Sequence, residues 1–429
     1  MTAILIFSCL MIGLFVSVPI FIVFAGTAFV TLGLTSSIPL SILPQRIFAG
    51  LENFTLLAIP FFFFAAQLMS RGGLSERMIN FVQTMVGHLP GGLGMTVVVT
   101  CMLFGSITGS SASTIVAIGS ILVPALIAAG YSTQFAIGSV TCSALIGMLI
   151  PPSNAMIVYG AVANVSIGAL FMSGVGAGLV FTIAYCAYCV CYAQVAGVPR
   201  SSRANLSQIA SALREVLWGL GLPIVILGGI YGGIFTATEA AVVAVLYAAA
   251  VGMFVYRQIS FSDLWDICIE SGIASARVLI LVAAASLFSW LMTVSGTTSS
   301  AAQPLSSISD NPTLFMLAAN ALLLVAGMFV DVYSNILILI PIMLGPAMSA
   351  GISSIHLGII AAVNVDIGNI TPPFGLNLFV AAAAFGQSYF TIVRAVLPWL
   401  LIALICLLVV TYFPSISMWL PQRLYPGLQ

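Results

Sequence analysis

Apolar residues run through this chain in stretches long enough to cross a bilayer, and the polar residues that interrupt them are clustered rather than helically spaced. A spanning helix needs about 20 consecutive apolar residues. Suitable runs fall near residues 2–17, 18–35, 51–70, 95–130, 133–163, 166–196, 213–232, 235–256, 278–296, 312–350, 354–386 and 395–416. Two of them, 95–130 and 312–350, are too long for one helix. Each carries a polar cluster near its middle, GSITGSSAST at 105–114 and DVYSN at 331–335. Backbone that leaves the helix at membrane depth has to be buried in protein or line a cavity. Both runs therefore read as re-entrant helical hairpins with polar tips. The run after each hairpin is interrupted in turn, by IPPSN at 150–154 and TPPFG at 371–375. A proline pair removes two backbone donors and clashes with the preceding turn, so each of these spans reads as a broken helix.

These features recur at a fixed interval. Pro151-Pro152 and Pro372-Pro373 lie 221 positions apart, as do Gly130 and Gly351, and Ile38-x-x-Ser41 and Ile259-x-x-Ser262. Ile121-Leu122-Val123-Pro124 pairs with Ile338-Leu339-Ile340-Pro341 at 217, which implies a four-residue insertion in the second hairpin. The chain reads as a duplication. Arginine placement then orients it, because basic loop residues favour the cytoplasmic side. With the loop of Arg200, Arg203 and Arg214 inside, Arg71, Arg77, Arg257 and Arg394 fall inside too, whereas Arg46 and Arg423 fall outside. The first repeat then starts outside and the second inside, the inverted layout of many secondary transporters. The fold class expected is an all-α integral membrane protein of two inverted repeats, each a re-entrant hairpin followed by a broken transmembrane helix.

Composition narrows the chemistry. With 61% hydrophobic and 5% charged residues and a mean hydropathy of +1.23, the surface suits lipid. The ten basic residues are all arginine and the net charge is zero. A nucleic-acid partner is excluded, since no basic patch can neutralise phosphates. Without a lysine there is no phosphate-binding loop for ATP, so any energy has to come from an ion gradient. The eight cysteines lie mostly in apolar runs. Cys186-x-x-Cys189-x-Cys191 has no histidine or acid nearby and reads as apolar filling rather than a metal site. The N-terminal run lacks a basic leader and reads as a span rather than a cleaved signal.

Inverted symmetry brings the two hairpin tips together from opposite sides, each against the break in its following helix. A break frees carbonyls at one half-helix end and amides at the other; carbonyls and hydroxyls suit Na⁺, and helix N-termini suit a carboxylate. The first tip offers Ser106, Thr108, Ser110, Ser111, Ser113 and Thr114, and the second Asp331, Ser334 and Asn335. Opposite them stand Ser153 and Asn154 in one break and Thr371, Gly375 and Asn377 in the other. A lone serine in a span usually bonds back to its own helix, but six hydroxyls within nine residues are not lone. Asp331 and Asp366 lie in otherwise apolar runs, and an intramembrane carboxylate is functional by default. Each is suited to ligate Na⁺ or carry a proton; for Asp366, backbone bonding or a bond to Asn364 is the plainer alternative. Glu239 reads as a helix cap, Glu52 as an interface acid, and Asp263, Asp266 and Glu270 as the wet face of an amphipathic stretch. His88 and His356 stand apart, and no nucleophile–base–acid set for an enzyme can be assembled.

The motifs LLAIPFF (56–62) and GHLPGGL (87–93), the Ser-rich tip, IPPSN and DIGNITPPFGLNLFV (366–380) together resemble the large membrane (M) subunit of tripartite ATP-independent periplasmic (TRAP) transporters, over nearly the whole chain. The resemblance implies an elevator-type transporter in the bacterial inner (cytoplasmic) membrane that imports a small carboxylate such as sialic acid or a C4-dicarboxylate. It implies Na⁺ as coupling ion and no other cofactor. The implied partners are a periplasmic substrate-binding protein and a small four-helix membrane subunit. Carried onto matching positions, it places one Na⁺ at Ser106, Gly109, Ser110, Pro151 and Ser153, and another at Asp331, Ser334, Asn335, Thr371 and Gly375. Ser111, Ser113, Ser153, Asn154, Asp366 and Asn377 are then left for the carboxylate.

The expected organisation has a first repeat over 1–197, with scaffold helices in 1–70, an amphipathic link at 71–90, a hairpin at 91–130, a broken helix at 133–163 and a helix at 166–196. A cytoplasmic linker follows at 198–212. The second repeat, 213–429, holds scaffold helices in 213–256, an amphipathic segment at 259–276, a helix at 278–296, a hairpin at 312–350, a broken helix at 354–386 and a helix at 395–416. An ion-coupled organic-anion permease of the same superfamily, working without a binding protein, fits the same motifs. A channel fits less well, because paired hairpins imply an occluded site.

Overall fold

The computed structural model describes residues 2–16, 18–36 and 38–424; Ser17, which closes the run 2–17, and residues 425–429 of the second repeat lie outside the described residues. The described chain is helical, with no strand. It begins with α1 (Thr2–Phe15), α2 (Ile20–Thr35), α3 (Ile42–Ala49), a 3₁₀ turn at Phe54–Leu57, α4 (Ala58–Arg71) and α5 (Leu74–Val86). Next come α6 (Gly92–Thr108), α7 (Ser111–Ala128), α8 (Thr133–Ser143), α9 (Ile146–Leu149), α10 (Asn154–Ala163) and α11 (Ile167–Ala196). The rest comprises α12 (Leu206–Tyr231), α13 (Ala237–Ala250) with a π turn to Val255, α14 (Phe261–Val294), α15 (Thr297–Ser306), α16 (Pro312–Gly327), α17 (Val332–Ser349), α18 (Ser354–Gly368), α19 (Leu376–Phe385), α20 (Tyr389–Tyr412) and α21 (Ser415–Leu424).

Among the described residues, eight helices are long and apolar enough to cross a membrane, or nine if the bent pair Thr133–Leu149 and Asn154–Ala163 is one span. Large apolar side chains such as Ile4, Leu34, Phe48, Ile183, Leu246 and Phe390 stay exposed on the outer surface, as lipid-facing positions do. The chain is an integral membrane protein.

Local chemistry sets the helix ends. Asn205 and Gln208, Thr236 and Glu239, and Ser260 and Asp263 each form a capping box that starts α12, α13 and α14. The Asn205 box corrects the expected linker: α12 begins at Leu206, inside 198–212. The amphipathic segment 259–276 and the helix 278–296 also merge into one helix, α14, of 34 residues. No proline interrupts it, and the Ser275 hydroxyl donates to the Ser271 carbonyl at 2.6 Å, so nothing ends the helix at the expected junction. At 1.5 Å per residue α14 is about 50 Å long, well beyond a ~30 Å hydrocarbon core. Arg71 at the end of α4 pairs with Glu270 in its first half. Three short helices, α3, α15 and α21, were not among the apolar runs.

The four-residue insertion is also corrected. α7 and α17 are both 18 residues long, start at Ser111 and Val332 and end at Ala128 and Ser349, so the interval is 221 at both ends. The similar ILVP and ILIP segments simply occupy different turns of the two helices.

α6 packs against α7, and α16 against α17. α7 also meets α19, and α17 meets α10, so the second helix of each pair touches the helix that follows the other break. Glycine permits two close crossings. A Cβ on Gly105 would fall 2.7 Å from Gly147 Cα, and one on Gly368 would fall 2.6 Å from the Gly327 carbonyl carbon. Each crossing lies a few residues before a tip and a break.

Candidate functional site

The first tip is a tight turn between two helices. Gly109 caps α6 in the left-handed region at φ 58°, and the Ser110 hydroxyl accepts from the Ser113 amide at 3.3 Å to start α7. A Cβ on Gly109 would sit 3.2 Å from Asn154 Nδ2, so the tip abuts the start of α10 through a position only glycine fills easily. Thr108 and Thr114 join their hydroxyls across the turn at 3.2 Å, and Thr114 donates to the Ser110 carbonyl at 2.9 Å. The Ser106 hydroxyl is turned back into α6, donating to the Leu103 carbonyl at 2.7 Å.

At the break between α9 and α10, Pro151, Pro152 and Ser153 are buried. Pro151 and Pro152, joined by a cis bond, lack the amides that would pair with the carbonyls of Gly147 and Met148. Ser153, 0% exposed, presents a hydroxyl with no hydrogen-bond partner. Asn154 is buried in the first turn of α10.

The second tip starts α17 with an acid in place of a hydroxyl. One Asp331 carboxylate oxygen accepts from the Tyr333 and Ser334 amides at 3.0 and 3.2 Å, and the other accepts from the Ser334 hydroxyl. Asp331 stands 221 residues after Ser110, and both are N-caps. Asn335 Nδ2 donates to the Leu323 carbonyl at 2.9 Å, leaving its oxygen free. At the second break the cis Pro372-Pro373 pair precedes Gly375, the N-cap of α19. The Thr371 hydroxyl donates to the Ile367 carbonyl at 2.7 Å, and the Asn377 amide to the Asn369 carbonyl at 2.9 Å.

Each tip was expected against the break in its own following helix. Gly109 does meet Asn154, but the first tip also reaches the second break: Asn377 Nδ2 donates to the Ser111 hydroxyl at 3.0 Å, both side chains buried. Residues from the two halves thus share one polar cluster. Ser113 is exposed, and only its backbone amide is bonded at the tip. Asp366 is 1% exposed, and neither of its oxygens accepts a hydrogen bond, from backbone or from Asn364. Asn364 instead donates to Asn320 Oδ1 at 2.7 Å. His356 is a structural link, its ring nitrogens 2.8 Å from the Ser417 hydroxyl and 3.1 Å from the Thr411 carbonyl.

Comparison with known proteins decides the family. The sequence profile described as "Tripartite ATP-independent periplasmic transporter, DctM component" matches residues 6–416. The chain belongs to the DctM family of TRAP transporters. It is 41% identical over 379 residues to the C4-dicarboxylate TRAP transporter large permease protein DctM of Pseudomonas aeruginosa, covering 88% of this chain and 89% of that one. It is 37% identical to the ectoine TRAP transporter large permease protein TeaC of Halomonas elongata, covering 88% of each. It is 33% identical to the sialic acid TRAP transporter permease protein SiaT of Haemophilus influenzae, covering 89% of this chain and 62% of that one. Among solved structures, the YdaH transporter of Alcanivorax borkumensis superposes with a TM-score of 0.65 over 89% of both chains, at 16% identity, a likeness of fold.

In this DctM-family chain the two glycine crossings carry a signal in the sequence only through their interval, since Gly147 and Gly368 also lie 221 apart. Asn369 carries none. A single asparagine between a glycine and a proline pair reads as turn chemistry, and only the fold shows that it is buried.

Proposed function

We propose that this DctM-family permease imports a small organic acid by Na⁺-coupled secondary transport. Its two inverted repeats, the first up to residue 197 and the second from α12 at Leu206 onward, would place the hairpin tips and helix breaks at one site that an elevator motion carries across the bacterial inner membrane. The observation that carries this reading is the Ser111–Asn377 bond, at 3.0 Å between the first tip and the second break, with Gly109 seated on Asn154 beside it.

The residues fit a hard monovalent cation. At the first site the unpartnered Ser153 hydroxyl and the carbonyls freed by Pro151-Pro152 supply oxygens, with Ser106, Gly109 and Ser110 completing the set. At the second, Asp331, Ser334, Asn335, Thr371 and Gly375 do so, and the Asp331 carboxylate neutralises the ion. The amide ends of α10 and α19 point their partial positive charge at the same cluster. Ser111, Ser113, Ser153, Asn154 and Asn377 would hold a carboxylate there. Asp366 is left out of that set, because an acid repels a second carboxylate. Each Na⁺ crossing 100 mV supplies about 2.3 kcal/mol, so two ions concentrate a solute substantially.

Relatives named for C4-dicarboxylate, isethionate, ectoine and sialic acid all handle solutes with an acidic group. The matched family description is tripartite, which supports a periplasmic binding protein and a small membrane subunit as partners. Reconstitution tests this. With small subunit and binding protein present, vesicles should take up labelled carboxylate only under an inward Na⁺ gradient. Undiminished uptake without the binding protein would favour a self-sufficient permease, and steady single-channel current would replace the transporter reading by a channel.

A further inference from the structure

A slot of about 420 Å³ lies between α14 and the second hairpin. Val282, Ala285, Leu337 and Pro341 give it apolar walls, and Ser286, Ser289 and Trp290 line it along α14. The end of α3 closes on the same helix, where a Cβ on Gly50 would fall 2.5 Å from Ser286 Cβ. One turn before Gly50, the Arg46 guanidinium lies over the Trp290 ring at 5.0 Å. Arg46 is exposed and pairs with no acid: among the described residues the one ion pair is Arg71 with Glu270. Helical serines commonly bond back to their own helix, as Ser275 does. Ser286 and Ser289 do not, and among the described residues neither hydroxyl has a hydrogen-bond partner.

Exchanging the two halves gives a comparison. At the 221-residue interval Arg46 and Trp290 correspond to Ile267 and Met69, and Ser286 and Ser289 to Ala65 and Leu68. All four counterparts are apolar and buried. The cation, the indole and the two hydroxyls are therefore not what packing these helices requires. α14 also packs on α17, whereas the equivalent α4 and α7 make no comparable contact. The slot and its polar rim belong to one side of the molecule.

We propose that this slot seats one phospholipid of the outer leaflet, its phosphate on Arg46 and one acyl chain along Val282, Ala285 and Leu337. Arginine placement puts Arg46 on the outer side, and an arginine beside a tryptophan suits headgroup depth. Inward along α14 the site offers a cation, then the hydroxyls of Ser289 and Ser286, then apolar walls. That order matches phosphate, glycerol esters and acyl chain. A phosphodiester supplies the negative charge that Arg46 lacks, and the ester carbonyls accept from the free hydroxyls. A small soluble anion would meet the arginine and leave the apolar walls uncovered. Seated there, the lipid bridges α14 and the second hairpin. The inference does not depend on the Na⁺-coupled reading above.

Fluorescence quenching of the purified full chain in detergent micelles tests it. The Trp290 signal is the emission lost in Trp290→Phe. Phosphatidylglycerol brominated on its acyl chains should quench that signal, and Arg46→Leu should raise the half-quenching lipid fraction about ten-fold or more. Arg423→Leu, at the other arginine on the outer side, should leave it unchanged. Unbrominated phosphatidylglycerol should relieve the quenching, whereas diacylglycerol, with the same esters and chains and no phosphate, should not. Quenching indifferent to Arg46→Leu, or relieved equally by diacylglycerol, marks ordinary surrounding lipid and overturns the proposal. Relief by soluble glycerol phosphate makes this a site for free anions and overturns it too. Should Arg46→Leu fail to fold, Arg46→Gln is read in the same way, and the two unbrominated lipids on the unaltered chain decide without either variant.

Discussion

The bond between Ser111 and Asn377 makes a quantitative prediction, because it is the direct side-chain link between the first tip and the second break. It is a neutral hydrogen bond of 3.0 Å, with Ser111 7% and Asn377 1% exposed, so water does not replace either partner readily. Such a bond is worth about 1 kcal/mol net, and removing one partner leaves the other buried and unpaired at a cost of about 1–3 kcal/mol. If tip and break form one site, Ser111→Ala and Asn377→Ala should each raise the half-saturating Na⁺ concentration for uptake about five-fold or more. The double variant should be little worse than the worse single, a coupling of about 1 kcal/mol, or roughly five-fold. The assay is Na⁺-dependent carboxylate uptake in proteoliposomes holding both membrane subunits and the binding protein. Effects that add to within about 0.5 kcal/mol mean the two residues act independently. That result would refute a shared site.

Other consequences follow from the packing and the orientation. Gly147→Ala places a Cβ 2.6 Å from the Gly105 carbonyl carbon, and Gly368→Ala one at the same distance from that of Gly327. Both should lower thermal stability by about 1–3 kcal/mol of overpacking, read by unfolding in detergent, whereas Gly345→Ala, with open space around it, should not. The Arg71–Glu270 pair is 40% and 46% exposed, so Arg71→Ala should change stability by less than about 1 kcal/mol and leave uptake intact. A cysteine at Ser202, between Arg200 and Arg203, should react with a membrane-impermeant maleimide only from the cytoplasmic side. Labelling there from outside would invert the orientation argued from the arginines.

Much of this architecture was legible because lipid makes the sequence signal coarse. Residues 95–130 and 312–350 were recognisable as helix pairs since neither length nor polar centre suits one span, and prolines at 151–152 and 372–373 mark both breaks. What was not legible depends on contacts between distant segments. The merger of 259–276 with 278–296 turned on the absence of any helix-ending residue, a negative signal that a change of amphipathicity concealed. The cross-over of Ser111 to Asn377, 266 residues away, required the fold. Asp331 and Asp366 looked alike as isolated acids in apolar runs. Only the fold separates them, one bonded as the cap of α17 and the other without a donor.

The central claim is that two tips and two breaks build ion and substrate sites in one cluster. The most direct measurement is a high-resolution structure of the reconstituted permease in saturating Na⁺ and carboxylate, compared with one in choline. Cation density is expected between residues 106–110 and 151–153, and between 331–335 and 371–375, with the carboxylate beside Ser111 and Asn377. Density for the ions or the solute elsewhere, with these oxygens unchanged between the two conditions, would contradict the account.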